Sequence, residues 1–150
     1  MNSNSLSTSV FALAAAHTSL AAPLQAATAQ EGWDLLNGIE VEEIVTDTSY
    51  TVRKIYPDRL ENGIEQFELT GYVVLTWSEE NVREFLLISD MGLCPFCGNP
   101  EHGTALQVRL AAPADALEDG ARVTVRGALE PVRDTETTQA TRLTNARILP

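Results

Sequence analysis

The sequence predicts a mainly all-β protein built around a five-stranded barrel, with a short helix and an N-terminal extension. Two observations support this fold class. Residues 63–150 contain five apolar or β-branched segments separated by turn-forming residues, which is the pattern of a small all-β domain. Glycines interrupt the first and fourth segments at Gly71 and Gly127, where barrel strands commonly bulge or bend. The alternative is another small β-barrel or a β-sandwich.

The segment before the barrel, residues 30–62, is expected to form the N-terminal extension. Trp33–Leu36 indicates a short helical or irregular segment, which Gly38 ends. The β-branched and apolar positions of residues 39–56 predict one or two strands, with a turn at 46–49. The extension therefore has secondary structure of its own, but the chain is too short for a second domain.

Five barrel strands follow the extension. The first alternates apolar and polar residues, and the second is a continuous apolar run, as expected of a strand that is covered on both faces. We predict these strands at residues 67–75, 85–88, 106–110, 123–129 and 140–149. Pro113–Leu117 is expected to be a short helical linker between the third and fourth strands, followed by a turn at 118–120. Five strands with a helix at this point predict an OB-like Greek-key barrel over residues 63–150.

Residues 1–29 have the features of a secretory signal peptide. They contain no Asp, Glu, Lys or Arg, they carry an apolar core at residues 10–24, and they end in the small residues Ala27-Thr28-Ala29. The basic residues that usually begin such a peptide are missing. Pro23 and the shortness of the apolar core argue against a membrane-spanning helix. We therefore expect export to the periplasm and no membrane span in the mature protein.

The chain is strongly acidic, which bears on its partners. It has 21 Asp and Glu against 10 Lys and Arg, and a formal net charge of -11. A surface this negative repels phosphate backbones, so a nucleic acid is not expected as a partner even though OB folds often bind one. Acidity of this size is more often a matter of solubility than of cation binding.

Both cysteines lie in one motif, Cys94-Pro95-Phe96-Cys97-Gly98, which resembles the metal-binding turn of zinc ribbons and rubredoxins. In such a turn, glycine lets the chain bend so that two thiolates face the same side. His102 lies five residues after Cys97, and a loop can bring it back as a third ligand. Glu101, Asp90, water or a partner's side chain would complete the site. The expected ion is Zn²⁺ or Cu⁺, since thiolate ligands favour both.

Three other interpretations of the cysteine pair remain open. The pair can close a structural disulfide, act as a thiol–disulfide redox centre, or only turn the chain. A glutaredoxin-type redox centre needs a helix at its first cysteine, and Gly98, Pro100 and Gly103 break any helix there. An oxidising periplasm favours the disulfide over bound metal.

The sequence predicts a protein that is not an enzyme. Ser89-Asp90 lies close to the cysteine motif, but His102 on a glycine-flanked loop lacks the third group that orients a catalytic base. The pairs Glu42-Glu43 and Glu79-Glu80 are neighbours in sequence, and neighbours on a strand point to opposite faces. We therefore expect these carboxylates to be solvated and not to act as a paired acid and base.

Three segments together resemble an exported bacterial family of uncharacterised OB-like proteins. They are Gly71-Tyr72-Val73-Val74, Glu84-Phe85-Leu86-Leu87-Ile88 and Gly92-Leu93-Cys94. The similarity covers residues 64–110, but the family often has proline where this chain has Leu75, and a Cys-x-His proline run in place of Cys-Pro-Phe-Cys-Gly. Some members lie near metal-uptake systems. The resemblance thus implies an accessory protein in metal handling with a protein partner in transport or assembly, and it matches only Cys94 as a site residue.

The predicted leader can be tested directly. We expect cleavage after Ala29, because small residues at 27 and 29 suit signal peptidase. N-terminal sequencing of the exported protein should therefore begin at Gln30. An exported protein that still carries residues 1–29 would contradict this prediction.

Overall fold

The structure is a computed structural model, and it describes residues 29–76, 80–90 and 105–150. In these ranges the chain forms one helix and seven strands. They are α1 (Ala29–Asn37), β1 (Glu40–Val45), β2 (Tyr50–Ile55), β3 (Ile64–Val74), β4 (Glu80–Ile88), β5 (Ala105–Ala116), β6 (Arg122–Pro131) and β7 (Thr141–Leu149). The predicted leader lies outside the described residues except for Ala29, which begins α1.

The strands form two separate sheets. β1 and β2 pair as an antiparallel hairpin, and β3 to β7 close a barrel in the order β3-β4-β5-β7-β6. Neighbouring strands of the barrel are antiparallel, except that β5 and β7 are parallel. This is an OB-like five-stranded barrel. The predicted fold class, a mainly β protein with one short helix and an N-terminal extension, is confirmed.

Alternating side chains of the barrel strands fill its interior, because successive residues of a strand point to opposite faces. In β3, for example, Phe67, Leu69, Gly71 and Val73 are buried, while the residues that alternate with them are partly exposed. The extension adds residues to the same core. The buried apolar residues of this shared core are Trp33, Leu36, Tyr56, Leu60, Phe67, Leu69, Val73, Val82, Phe85, Leu87, Leu106, Val108, Leu110, Leu117, Val125, Leu129, Leu143 and Ala146.

The helix α1 connects the extension to the barrel. Trp33 is buried, and its indole N–H donates a hydrogen bond to the carbonyl oxygen of Thr70 in β3 at 2.8 Å. A buried indole needs such an acceptor. The helix ends where the amide of Gly38 donates to the carbonyl oxygen of Asp34 at 3.1 Å. α1 therefore extends the predicted helical segment by several residues and still stops at the predicted glycine.

The prediction of a helix at Pro113–Leu117 is wrong. β5 continues to Ala116, which pairs with Glu80 of β4. The pairing shifts register between Val82 and Glu84, so β5 bulges around Pro113. A bulge leaves backbone N–H groups unpaired, and this is why a proline is tolerated inside a strand. The helix that packs into the core precedes the barrel instead of interrupting it.

The two glycines of the barrel have different roles. Gly127 lies at a register shift between β6 and β7, as the sequence predicts for a bulge. Gly71 lies in an unbroken register between β3 and β6. A Cβ atom on Gly71 would lie 2.5 Å from the carbonyl oxygen of Ile88 and 2.9 Å from Cζ2 of Trp33. Gly71 is therefore required because α1 and β4 approach the backbone of β3 there.

We predict that Gly71→Ala lowers the free energy of unfolding by about 1–3 kcal/mol, the usual cost of overpacking a core. The matched control is Gly38→Ala, since its Cβ would meet nothing closer than Cγ of Pro57 at 3.3 Å. Urea denaturation of both variants measures the difference. Equal stability of the two variants would show that Trp33 and Ile88 do not constrain this position.

Candidate functional site

The predicted metal ligands Cys94, Cys97 and His102 lie outside the described residues, within 91–104. The structure does describe both ends of the connection that carries them. Ile88 near the end of β4 pairs directly with Ala105 at the start of β5. Directly paired residues of antiparallel strands lie about 4.5–5.5 Å apart. The connection thus leaves and re-enters the barrel at neighbouring positions.

Asp90, one of the oxygen ligands considered for the metal, is the last described residue before this connection. It lines a cleft of about 340 Å³ that runs along α1. The other side chains of this cleft include Gln30, Trp33, Tyr72 and Arg122. Among the residues that the structure describes, no group of three or more His, Cys, Asp or Glu side chains is placed to hold a metal ion.

A larger cleft, of about 430 Å³, lies on the outer face of β4 and β5. Its volume falls within the usual range for small-ligand sites, about 300–1,000 Å³. It also lies on the face that OB folds commonly use, which is formed by the second and third barrel strands and the loop before the fifth strand. The lining residues are Leu36, Ile39, Val41, Leu86, Ala105, Gln107, Thr137, Thr138, Gln139, Ala140 and Thr141.

The lining of this cleft is neutral. Aliphatic side chains come from the extension and from Leu86, while hydroxyl and amide groups come from β5 and the segment 137–141. The side-chain amide of Gln139 donates a hydrogen bond to Oε1 of Gln107, and this bond connects the segment to β5. Such a surface suits an uncharged ligand that offers both apolar area and hydrogen-bonding groups.

One wall of the cleft belongs to the loop 132–140 between β6 and β7, and Tyr56 of the extension holds this loop. The Tyr56 hydroxyl lies 2.8 Å from the carbonyl oxygen of Val132 and 3.0 Å from that of Ala140, and its single O–H is shared between these two acceptors. The guanidinium group of Arg133 lies 5.5 Å from the Tyr56 ring centre. Burial raises the pKa of Tyr56, and the charge of Arg133 opposes this rise.

β2 holds the same loop through its backbone and through Lys54. The amide of Val52 donates to the carbonyl oxygen of Thr135 at 2.7 Å. Nζ of Lys54 donates to the carbonyl oxygens of Val132 and Asp134 at 2.9 and 2.6 Å. Burial lowers the pKa of Lys54, against the attraction of Asp134. Residues of the extension therefore position a wall of the cleft.

Sequence reasoning missed this arrangement. Tyr56 is separated from Val132 and Ala140 by 76 and 84 positions in the sequence, so no local pattern connects them. The polar run at 135–139 is the one available signal for the loop. The half-buried Leu86 also differs from the prediction of a second strand fully covered on both faces, since it lines the cleft.

The fold places this chain among the OB-like barrel proteins. No known protein family, curated protein or solved structure matched it when the chain was compared with each. The resemblance to an exported OB-like family therefore remains a prediction. The helix found in residues 29–76, 80–90 and 105–150 is not long and apolar enough to cross a membrane.

We predict that Tyr56→Phe lowers the free energy of unfolding by about 0.5–1.5 kcal/mol, because the hydroxyl no longer bonds the loop, while the carbonyl oxygens of Val132 and Ala140 keep Nζ of Lys54 and the amide of Val132 as donors. The matched control is Tyr50→Phe, since the Tyr50 hydroxyl bonds only the exposed carboxylate of Glu43. We expect that control to change stability by less than about 0.5 kcal/mol. Urea denaturation at neutral pH measures both, and equal effects would contradict the role given to Tyr56.

The pH dependence gives a second readout of the same contact. The pKa of Tyr56 is raised in the folded state, so its contribution is present below the ordinary tyrosine pKa of about 10. The contribution is lost as the pH rises through the folded-state pKa. The difference between Tyr56→Phe and the natural protein should therefore shrink above about pH 10. A constant difference would show that the phenol does not carry the effect.

Proposed function

We propose that this protein is a non-catalytic binding protein that holds one soft metal ion, Zn²⁺ or Cu⁺, through Cys94, Cys97 and His102. The observation that carries this proposal is the direct pairing of Ile88 with Ala105. This pairing supports a compact ligand set, because all three side chains belong to one connection whose two ends are neighbours in the barrel.

The ligand chemistry favours a soft ion at an incomplete site. Two thiolates at Cys-x-x-Cys spacing with one imidazole make a three-ligand set, and Zn²⁺ usually takes four ligands. Asp90, Glu101 or water would fill the fourth position. An open or weakly filled position suits transfer of the ion to another protein better than permanent storage. We therefore propose an accessory role in metal handling, with a transport or assembly protein as the partner.

The disulfide is the alternative state of the same pair. In an oxidising compartment, Cys94 and Cys97 would form a small disulfide ring unless metal or a reductase protects the thiols. The connection would then be a structural staple or a redox-sensitive element of an interaction module. Nucleic acid is not proposed as a partner in either case, because the formal charge is -11 and phosphate backbones are repelled.

The pKa values that shift in the described residues have structural explanations. Tyr50, Lys54 and Tyr56 lie on or beside the hairpin, and their pKa values change through Glu43, through burial and through contacts with the loop 132–140. A perturbed pKa marks a catalytic site only when the group lies in a cleft with a specific charge partner and a task. A hydrogen bond to Glu43 accounts for the shift of Tyr50, and burial accounts for those of Lys54 and Tyr56.

Native mass spectrometry of the periplasmic protein, purified without added metal or reductant, tests the proposal. We expect one metal ion per chain and two reduced thiols. Cys94→Ser and Cys97→Ser should each abolish metal binding, and His102→Ala should weaken it, because each removes a ligand. Glu101→Gln and Asp90→Asn, measured separately, identify the fourth ligand.

A contrary result is equally clear. A metal-free protein with a Cys94–Cys97 disulfide that resists mild reductant would show that the connection is a staple. If His102→Ala binds Zn²⁺ and Cu⁺ as tightly as the natural chain while Cys94→Ser does not bind, the imidazole is not a ligand. If the thiols only bind metal, the double variant Cys94→Ser, Cys97→Ser should match the thermal stability of the metal-free, reduced natural protein, because a bound ion itself adds stability.

A further inference from the structure

β1 is an edge strand with an unusual degree of exposure. All six of its residues are exposed, including Val41 at 42%, Ile44 at 41% and Val45 at 71%. β2 covers one edge of β1. No backbone hydrogen bond joins the other edge to any residue in 29–76, 80–90 or 105–150. An exposed edge with aliphatic side chains is a template for pairing with another strand.

The pairing of the hairpin shows which backbone groups of β1 point outward. In an antiparallel pair, alternate residues direct their N–H and C=O groups away from the partner strand. The amide of Val52 points away from β1, since it donates to Thr135 at 2.7 Å. Glu43 pairs with Val52, so the backbone N–H and C=O groups of Glu43 also point away from β2. By alternation, the outward groups of β1 belong to Val41, Glu43 and Val45.

The two edges of the hairpin therefore differ. On β2, the outward amide of Val52 is satisfied by Thr135, and Lys54 donates to the carbonyl oxygens of Val132 and Asp134. On β1, the outward groups have no protein partner among the described residues. Val41 also lines the neutral cleft on the face of β4 and β5, so the free edge begins beside the cleft.

We infer that the free edge of β1 accepts an extended segment of a partner protein, which adds to the hairpin as a third strand. Main-chain hydrogen bonds supply affinity in this mode, and cross-strand side-chain pairs supply specificity. The edge reads Glu-Val-Glu-Glu-Ile-Val at residues 40–45. The complementary segment has basic residues opposite the three glutamates and aliphatic residues opposite Val41, Ile44 and Val45.

Charge decides between this partner and a second copy of the chain. An antiparallel pair of β1 strands joined through the outward groups of Val41, Glu43 and Val45 would place Glu43 opposite Glu43 of the second copy when centred on that residue, and like charges directly opposite are destabilising. The net charge of -11 repels a second copy further. In the hairpin, Glu42 forms an ion pair with Arg53, which shows that a basic residue fits opposite this strand. A segment with basic and aliphatic residues complements both the glutamates and the aliphatic side chains of β1.

The probe is a fluorescein-labelled peptide that contains Val-Val-Lys-Lys-Val-Lys, the antiparallel complement of β1, and the control peptide has Glu in place of each Lys. Fluorescence anisotropy with the full chain should show binding of the first peptide only. Binding should weaken as salt rises, because exposed charges are screened. On binding, the amides of Val41, Glu43 and Val45 should become protected from hydrogen exchange, while that of Ile44, which pairs with Thr51, is protected already.

Val41→Pro is the decisive variant. It removes an outward N–H and no hydrogen bond between β1 and β2, and proline is tolerated on such an edge. We expect it to weaken peptide binding about tenfold or more, since a tenfold change needs about 1.4 kcal/mol. Val41→Thr keeps the N–H and the branched shape, and should bind like the natural chain. Glu40→Gln with Glu43→Gln should weaken binding several-fold and reduce its salt dependence.

Each other outcome would overturn the inference. Equal binding of the two peptides, or unchanged binding to Val41→Pro, would show that the edge does not select the segment. No binding, with the amides of Val41, Glu43 and Val45 protected in the free monomer, would mean that the chain covers its own edge. A dimer in light scattering that Val41→Pro dissociates would make a second copy the occupant. The double variant Cys94→Ser, Cys97→Ser should bind the peptide normally, which separates this inference from the metal proposal.

Discussion

Closure of the barrel around one shared core is the constraint on which the other features depend. β3 pairs with both β4 and β6, which closes the barrel, and the small interior must be filled with apolar side chains. The extension supplies Trp33, Leu36 and Leu60 to this interior. A chain of this size has little stability to spare, so the extension and the barrel stabilise each other.

The barrel acts as a scaffold whose proposed functions lie outside its core. The cysteine motif belongs to a connection between β4 and β5, and the free edge belongs to the hairpin before the barrel. Loops and edges carry binding groups more often than core positions do, because core residues are fixed by packing. The two proposals involve different elements, so a partner bound at β1 and an ion held near Asp90 need not exclude one another.

Local patterns predicted most of the fold. Alternation in β3 and β6 gave strands close to those observed, and Trp33–Leu36 indicated α1, because period and turn residues are local properties. Pro113 led to the wrong prediction of a helical linker, because local residue propensities cannot show that β5 bulges opposite β4 and accommodates a proline. The approach of Trp33 to Gly71 and the contact of Tyr56 with the loop 132–140 depend on tertiary packing. The predicted ligands Cys94, Cys97 and His102 rest on their spacing alone.

The hydroxyl of Tyr56 connects the docking of the hairpin to the shape of the cleft, although the residues involved are distant in the sequence. It holds both ends of the loop 132–140, and that loop forms a wall of the cleft. Detachment of the hairpin would release the wall, so the cleft in its observed shape exists only while the hairpin is docked. Linkage is reciprocal: any molecule that binds this shape of the cleft must also make local opening of the extension less favourable. The extension, which also lines the cleft through Leu36, Ile39 and Val41, therefore becomes more resistant to local opening when the cleft is occupied.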